Sequence, residues 1–265
     1  MKKALLILTV FTLLIIGLAP ATEAVPTLQI GAPAGPGDAG AYADYLGSLV
    51  NPIEEDTAVT LGSVLFAAGV YGNNTRLLGG QFTSVNGNGL NWSDFGFNST
   101  FNARGAVLMA TVPALHAGSL TINGNPSFYS TGTFEDGFVV PNPPSNHDPV
   151  KDISPDKQYL FFDIGNFANN AGVVPDFSDE TGAADGEIKQ LTLLTSGFDW
   201  IHFDVFALET IEEGGGPNTR LVTNLEGNPG SHDVTWKPVP EPGTFMLLGG
   251  GLICLVLYGR EKLRR

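Results

Sequence analysis

Cysteine is nearly missing from this chain. The one thiol among 265 residues is Cys254, inside an apolar stretch close to the C-terminus. The long middle of the sequence therefore has no disulfide, no thiol nucleophile and no thiolate metal site. Positive charge is scarce too: from Val25 to Lys237 there are 24 Asp and Glu against 7 Lys and Arg, a net charge near −17. A surface of that sign repels polyanions, so anionic lipid surfaces are poor partners and no nucleic-acid partner is expected. Helix signals are absent, since no stretch longer than about 12 residues combines apolar spacing of 3, 4 and 7 with caps at both ends. Histidine numbers only four, and His116, His147 and His232 stand apart without His-x-x-x-His or His-x-His spacing. The pattern of a zinc enzyme is not there.

What is abundant is turn chemistry, with 34 glycines and 18 prolines. Between the turns lie short apolar or alternating runs: Leu28 to Ile30, Ala58 to Leu61, Val64 to Tyr71, Ala106 to Val112, Phe138 to Val140, Tyr159 to Ile164, Ile188 to Leu194, Ile201 to Leu208 and Val234 to Trp236. Runs of this length at this spacing predict an all-β domain, an antiparallel β-sandwich or jelly roll. Long parallel crossovers have no helices to make them, which argues against α/β. Asn86-Gly87-Asn88-Gly89 and Asn123-Gly124-Asn125-Pro126 are tight turns, because Asn and Gly accept positive φ. Pro141 to Pro155 carries five prolines and reads as an extended crossing between two halves of one sandwich, with a domain boundary there as the alternative. Gly214 to Asn218 reads as a hairpin end.

Both termini are greasy and flanked by cations. Lys2 and Lys3 precede an apolar run from Ala4 to Leu18, and small residues follow at Ala19, Ala21 and Ala24. That is the layout of a secretory signal peptide, which sets residues 1–24 aside from the fold and implies the Sec translocon and signal peptidase as partners. Cleavage after Ala21 and after Ala24 fit equally. At the other end, Gly243 to Gly259 is 17 residues without a charge, about 26 Å as a helix and slightly short of a bilayer core. Arg260, Lys262, Arg264 and Arg265 follow at once, and the positive-inside rule keeps them in the cytoplasm with everything before Pro238 outside.

Val239-Pro240-Glu241-Pro242, then the short apolar helix, then the Arg-rich end with Arg260, Arg264 and Arg265, resembles the PEP-CTERM sorting signal of Gram-negative bacteria. The resemblance implies recognition by exosortase, a membrane cysteine transpeptidase. It also implies removal of the tail as the protein passes to the envelope or to exopolysaccharide, as with other sorting tails whose apolar stretch is an address. The protein is thus expected to be exported, held for a time in the inner membrane with its C-terminus cytoplasmic, and then placed at the cell surface or in the extracellular matrix. Residues 238–265 form the signal and residues 25–237 the ectodomain. Ser196 to Leu208 together with Asn228 to Trp236 is similar to the choice-of-anchor group of exported domains, N type. That group implies a surface module and no chemistry.

Three places in the ectodomain hold residues with chemical potential. In the acidic loop Pro175 to Glu187, the carboxylates of Asp176, Asp179, Asp185 and Glu187 stand among glycines, a set of hard oxygen ligands suited to Ca²⁺. Its spacing is not that of an EF-hand, and a solvated acidic loop is the competing reading. On Trp200 to Leu208, His202 and Asp204 alternate with Ile201, Phe203 and Val205, so the two polar residues share one strand face, Cα atoms about 7 Å apart. A solvent-facing pair is favoured over a mutually oriented or metal-holding one, since sequence offers no nucleophile or third ligand. Gly35-Pro36-Gly37-Asp38-Ala39-Gly40 matches G-x-G-x-x-G but lacks the following helix and βαβ frame of a dinucleotide site, and reads as a loop.

Three functions fit. The first is a non-enzymatic envelope or matrix protein acting in exopolysaccharide or biofilm structure. The second is carbohydrate binding, with Trp92, Phe95, Phe97 and Tyr129 as stacking candidates, although such aromatics in a sandwich are more often core. The third is a hydrolase drawing on Asp163, Asp199 and Asp204. No cofactor other than the calcium considered above is expected.

Overall fold

A computed structural model describes residues 25–33, 58–60, 62–81, 90–113, 117–130, 157–177 and 183–238. The described strands are β1 (Leu28–Gly31), β2 (Ala58–Thr60), β3 (Val64–Val70), β4 (Thr75–Gly79), β5 (Ala106–Pro113), β6 (Ser119–Ile122), β7 (Tyr129–Ser130), β8 (Lys157–Gly165), β9 (Asn170–Val174), β10 (Ala184–Ser196), β11 (Ile201–Glu213), β12 (Arg220–Gly227) and β13 (Val234–Trp236). They make two sheets, one of five strands ordered β1-β3-β10-β6 with β9 also on β10, the other of eight ordered β2-β13-β11-β5-β8-β7 with β12 and β4 also on β11. Pairing is antiparallel except where β2 runs parallel to β13. The all-β sandwich expected from the runs is the fold observed.

Two 13-residue strands organise the sheets. In the smaller sheet, β10 is shared along its length, with β3 on Gly186–Thr192 and β6 on Leu193–Ser196. In the larger, β13 pairs Ile201–Phe203 of β11 and β12 pairs Phe206–Glu213. β5 pairs His202–Phe206 and β4 pairs Leu208–Ile211. At 13 residues each strand is long enough to carry two shorter partners in succession, and because its backbone groups alternate between its two edges it can be paired on both.

Alternation decides what each face buries. Ile201, Phe203, Val205 and Ala207 of β11 and Ala106, Leu108, Ala110 and Val112 of β5 meet Leu28, Ile30, Leu65, Ala67, Leu191 and Leu193 of the smaller sheet in the inter-sheet core. The opposite face of the larger sheet is not open to water. Val107, Met109, Phe161, Phe206 and Leu208 pack there under Trp92, Phe97, Phe101 and Ala103, in a second core. Burial on both faces explains why β5 reads as an unbroken apolar run instead of an alternating one.

The covering segment is held by local chemistry. Asn91 caps the 3₁₀ turn Trp92–Phe95: its Oδ1 accepts from Ser93 N at 2.9 Å while its own N–H donates to Asp94 Oδ2 at 2.8 Å. Gly96 ends the turn at φ 92°, a left-handed conformation open to glycine. The Trp92 indole N–H donates to Ala103 O at 3.1 Å, and its ring meets Phe97 and Phe101 edge-on at 5.0 and 5.5 Å. Gly105, where this segment joins β5, has no room for a side chain: a Cβ there would overlap the Gly165 backbone. Asn123 and Gly124 both adopt positive φ in the expected turn, closed by paired bonds of 2.9 Å between Ile122 and Asn125. Asn86 to Gly89, Pro141 to Pro155, Phe138 to Val140 and Gly35 to Gly40 lie outside the described residues.

One charge sits awkwardly. Burial first, and the Glu209 charge second, raise the carboxyl of Glu226 on β12 above its ordinary value. A raised carboxyl favours its neutral form in the fold, so that contribution is full at low pH and is lost as pH rises through the folded value. Glu226→Gln is therefore expected to stabilise the protein slightly at pH 7, by up to about 0.5 kcal/mol, with the advantage vanishing below about pH 4. Urea midpoints at the two pH values check this.

Candidate functional site

The acidic loop does not gather its carboxylates among the described residues. Asp176 is buried and shares a hydrogen bond of 2.8 Å with His232 Nε2. Asp185 Oδ1 accepts from Gly172 N at 2.9 Å. Glu187 Oε2 accepts from Ala168 N at 2.6 Å and lies 3.3 Å from Lys189 Nζ. Asp185 and Glu187 thereby tie the β9 segment to β10, and Asp176 ties its corner to the turn before β13. Asp179 lies outside the described residues.

The polar cluster that does assemble is elsewhere. His202 and Asp204, read from sequence as a solvent-facing pair, are 0% and 1% exposed. The face they share is the outer face of the larger sheet, the one that the aromatic segment covers further along β11. Asp233, 1% exposed, joins them. One ligand atom from each of the three lies within 4.8 Å of the others, and among the described residues this is the group of three His or acidic side chains able to hold a metal ion.

Strand register builds the arrangement. His202 stands opposite Thr235 of β13 on one side and Thr111 of β5 on the other, and Thr111 stands opposite Tyr159 of β8. Directly opposed residues share a face, so Thr235, His202, Thr111 and Tyr159 form a row across the sheet. Asp204 stands opposite Met109, and Asp233 directly precedes β13 beside it. His202 Nδ1 and Thr235 Oγ1 share a hydrogen bond of 2.9 Å, while His202 Nε2 lies 3.6 Å from both Asp204 Oδ2 and Asp233 Oδ2. Burial, and then the Asp204 charge, push the Tyr159 hydroxyl up to about 12.

Asp233 is delivered by its own loop. Asn228 Oδ1 accepts from Val205 N at 2.7 Å, and Asn228 Nδ2 donates to His232 O and Pro229 O at 3.3 Å each. That amide clamps residues 228–232 to β11, and the His232–Asp176 bond fixes the far side of the same turn. Gln29 locks the neighbouring corner, accepting from Phe177 N at 2.8 Å and donating to Pro175 O at 3.2 Å. Sequence reasoning singled out His202 and Asp204 but missed Asp233, Thr235, Thr111 and Tyr159, which only the pairing of distant strands brings alongside.

The remaining candidates fall apart in space or in accessibility. Trp92 and Phe97 are 0% and 4% exposed, spent in the second core, and Phe95 and Tyr129 are partly buried against it. Asp163 is exposed and accepts from Arg104 N at 2.8 Å and Gly165 N at 2.9 Å at the start of β5. Asp199 is exposed, whereas Asp204 is buried.

Among the described residues no helix is long and apolar enough to cross a membrane. The signal-peptide run and the sorting residues Val239, Pro240, Glu241, Pro242, Arg260, Arg264 and Arg265 lie outside the described residues. No curated protein and no solved structure matches the chain. Residues 238–265 match the model of the PEP-CTERM protein-sorting motif, which takes in the Pro-Glu-Pro element, the apolar stretch and the basic end together. Residues 238–265 are accordingly a PEP-CTERM protein-sorting motif, the tail that an exosortase system sorts, carried behind a β-sandwich.

Proposed function

We propose that the sandwich is an exported envelope or matrix component with a structural or binding role in exopolysaccharide or biofilm, and no catalytic one. The single observation that carries this reading is the sorting-motif match over residues 238–265. The acidic, thiol-free composition before the tail agrees with it, as does the dispersal of the carboxylates considered for hydrolysis. The Sec translocon and signal peptidase take the N-terminus in this scheme, and exosortase takes the C-terminus after a transient stay in the inner membrane.

Carbohydrate binding is the alternative, and it rests on a surface other than the expected aromatics. Phe128, 36% exposed, lies in a recess lined by Asn123, Asn125, Pro126 and Asp163, an aromatic beside amide and carboxylate groups. Glycan-array binding that disappears in Phe128→Ala would favour this alternative.

Mass spectrometry of the native protein tests the sorting reading. The expected mature species lacks residues 1–21 or 1–24 and also lacks Phe245 to Arg265, and in cells without exosortase the C-terminal segment is retained. Recovery of an intact C-terminus from the surface of normal cells would reduce the tail to a plain anchor.

A further inference from the structure

We propose that His202, Asp204 and Asp233 bind one divalent metal ion of the zinc kind in four-coordinate geometry, inside the outer layer of the larger sheet. The first ground is spacing. His202 Nε2 is 3.6 Å from a carboxylate oxygen on either side, which is beyond hydrogen-bond range. Ligands held at the usual zinc distances of about 2.0–2.2 Å in a tetrahedron are separated by roughly 3.3–3.6 Å. The two separations from His202 Nε2 match edges of such a tetrahedron, and the ligand atoms of all three residues lie within 4.8 Å of one another.

The second ground is orientation. Thr235 Oγ1 holds the imidazole by Nδ1 at 2.9 Å. When Nδ1 carries the proton and donates it, the Nε2 lone pair faces the two carboxylates, the arrangement in which an outer hydrogen bond fixes the tautomer of a metal-ligating histidine. Two carboxylates and a neutral imidazole also balance a doubly charged cation, which suits a site where all three residues are about 99% or more buried.

The third ground is independent of the three ligands. Thr111 Oγ1 is buried, stands across the sheet from His202 on the same face, and has no hydrogen-bond partner among the described residues. A buried hydroxyl without a partner is costly. Beside the cluster it supplies a fourth oxygen, or a partner for water on the ion. The ligand set selects the metal: an imidazole nitrogen favours zinc-like ions over calcium or magnesium, which take oxygen alone. The ion would tie the loop before β13 to the centre of β11, a cross-link in a domain without disulfides. This site owes nothing to the sorting tail, so either proposal can fail without the other.

The test uses the full chain in mild detergent, stripped with chelator and then dialysed against zinc alone, with elemental analysis of bound metal. One zinc per chain is expected. Asp233→Asn is expected to lose it, Thr235→Val to weaken it about 10- to 100-fold, and Asp185→Asn and Glu187→Gln to leave it unchanged. Calcium and magnesium are expected not to displace it. Because a variant in so buried a cluster can fail to fold, cobalt(II) loaded into the unmutated protein gives a second reading: visible bands of a four-coordinate nitrogen and oxygen site are expected. A folded wild-type chain that retains no zinc, or zinc retained equally by folded Asp233→Asn, overturns the proposal. So does a cobalt spectrum identical to that of the aqueous ion.

Discussion

Trp92→Ala is expected to destabilise the protein by about 3–5 kcal/mol, a large share of the 5–15 kcal/mol typical of a whole domain. The indole is wholly buried and touches Phe97 and Phe101 edge-on. Removing it opens a void among rings that belong to a short segment and to a sheet, and the sheet cannot collapse to fill it. Loss of the indole N–H also leaves Ala103 O, its acceptor at 3.1 Å, without that bond. Trp92→Phe keeps an aromatic ring in the site while removing the N–H donor and part of the volume, and should cost less, about 1–3 kcal/mol. Urea unfolding followed by far-UV circular dichroism gives both numbers. A Trp92→Ala midpoint close to wild type would mean that residues 91–103 lie on the sheet without sealing it, and the burial of the outer face would need another cause.

That covering layer is also where sequence and structure part company. The runs at β1, β2, β3, β5, β8, β10, β11 and β13 were legible because each alternates or is continuously apolar over several residues. β12, Arg-Leu-Val-Thr-Asn-Leu-Glu-Gly, escaped because it pairs at one end of β11 and much of it is only half-buried. β9, exposed along four of its five residues, has no apolar face to announce it. Periodicity identifies two faces of a strand, but it does not say whether the polar face meets water. On β11 that face begins with His202 and Asp204 and continues with Phe206 and Leu208, so its later half carried a hint of a second core that the first half concealed. Asp233 lay beyond any local rule, because its neighbours in space are fixed by the pairing of β13 with β11. In the acidic loop, nearness in sequence does not translate into shared partners: the hydrogen bonds of Asp176, Asp185 and Glu187 lead to three separate groups, and Asp179 lies outside the described residues.

Asn228→Ala is expected to be the second severe change, at about 3–4 kcal/mol, two to three times the cost of one ordinary buried hydrogen bond. Where β12 leaves β11 after the pair Phe206 and Gly227, one backbone bond remains, from Asn228 N–H to Val205 O at 3.2 Å, and the Asn228 side chain supplies the return bond. Its oxygen satisfies Val205 N at 2.7 Å, and its nitrogen reaches Pro229 O and His232 O at 3.3 Å. Alanine leaves a buried N–H on the central strand and frees the turn that carries Asp233. Asn228→Asp separates the roles, since a carboxylate can still accept from Val205 N but cannot donate to either carbonyl. If the turn positions Asp233, Asn228→Asp should keep a native circular dichroism spectrum while weakening zinc retention. Equal retention in folded Asn228→Asp and wild type would show that β13 alone places the carboxylate, through its pairing at His202 and Thr235, and that Asn228 serves only the strand it caps.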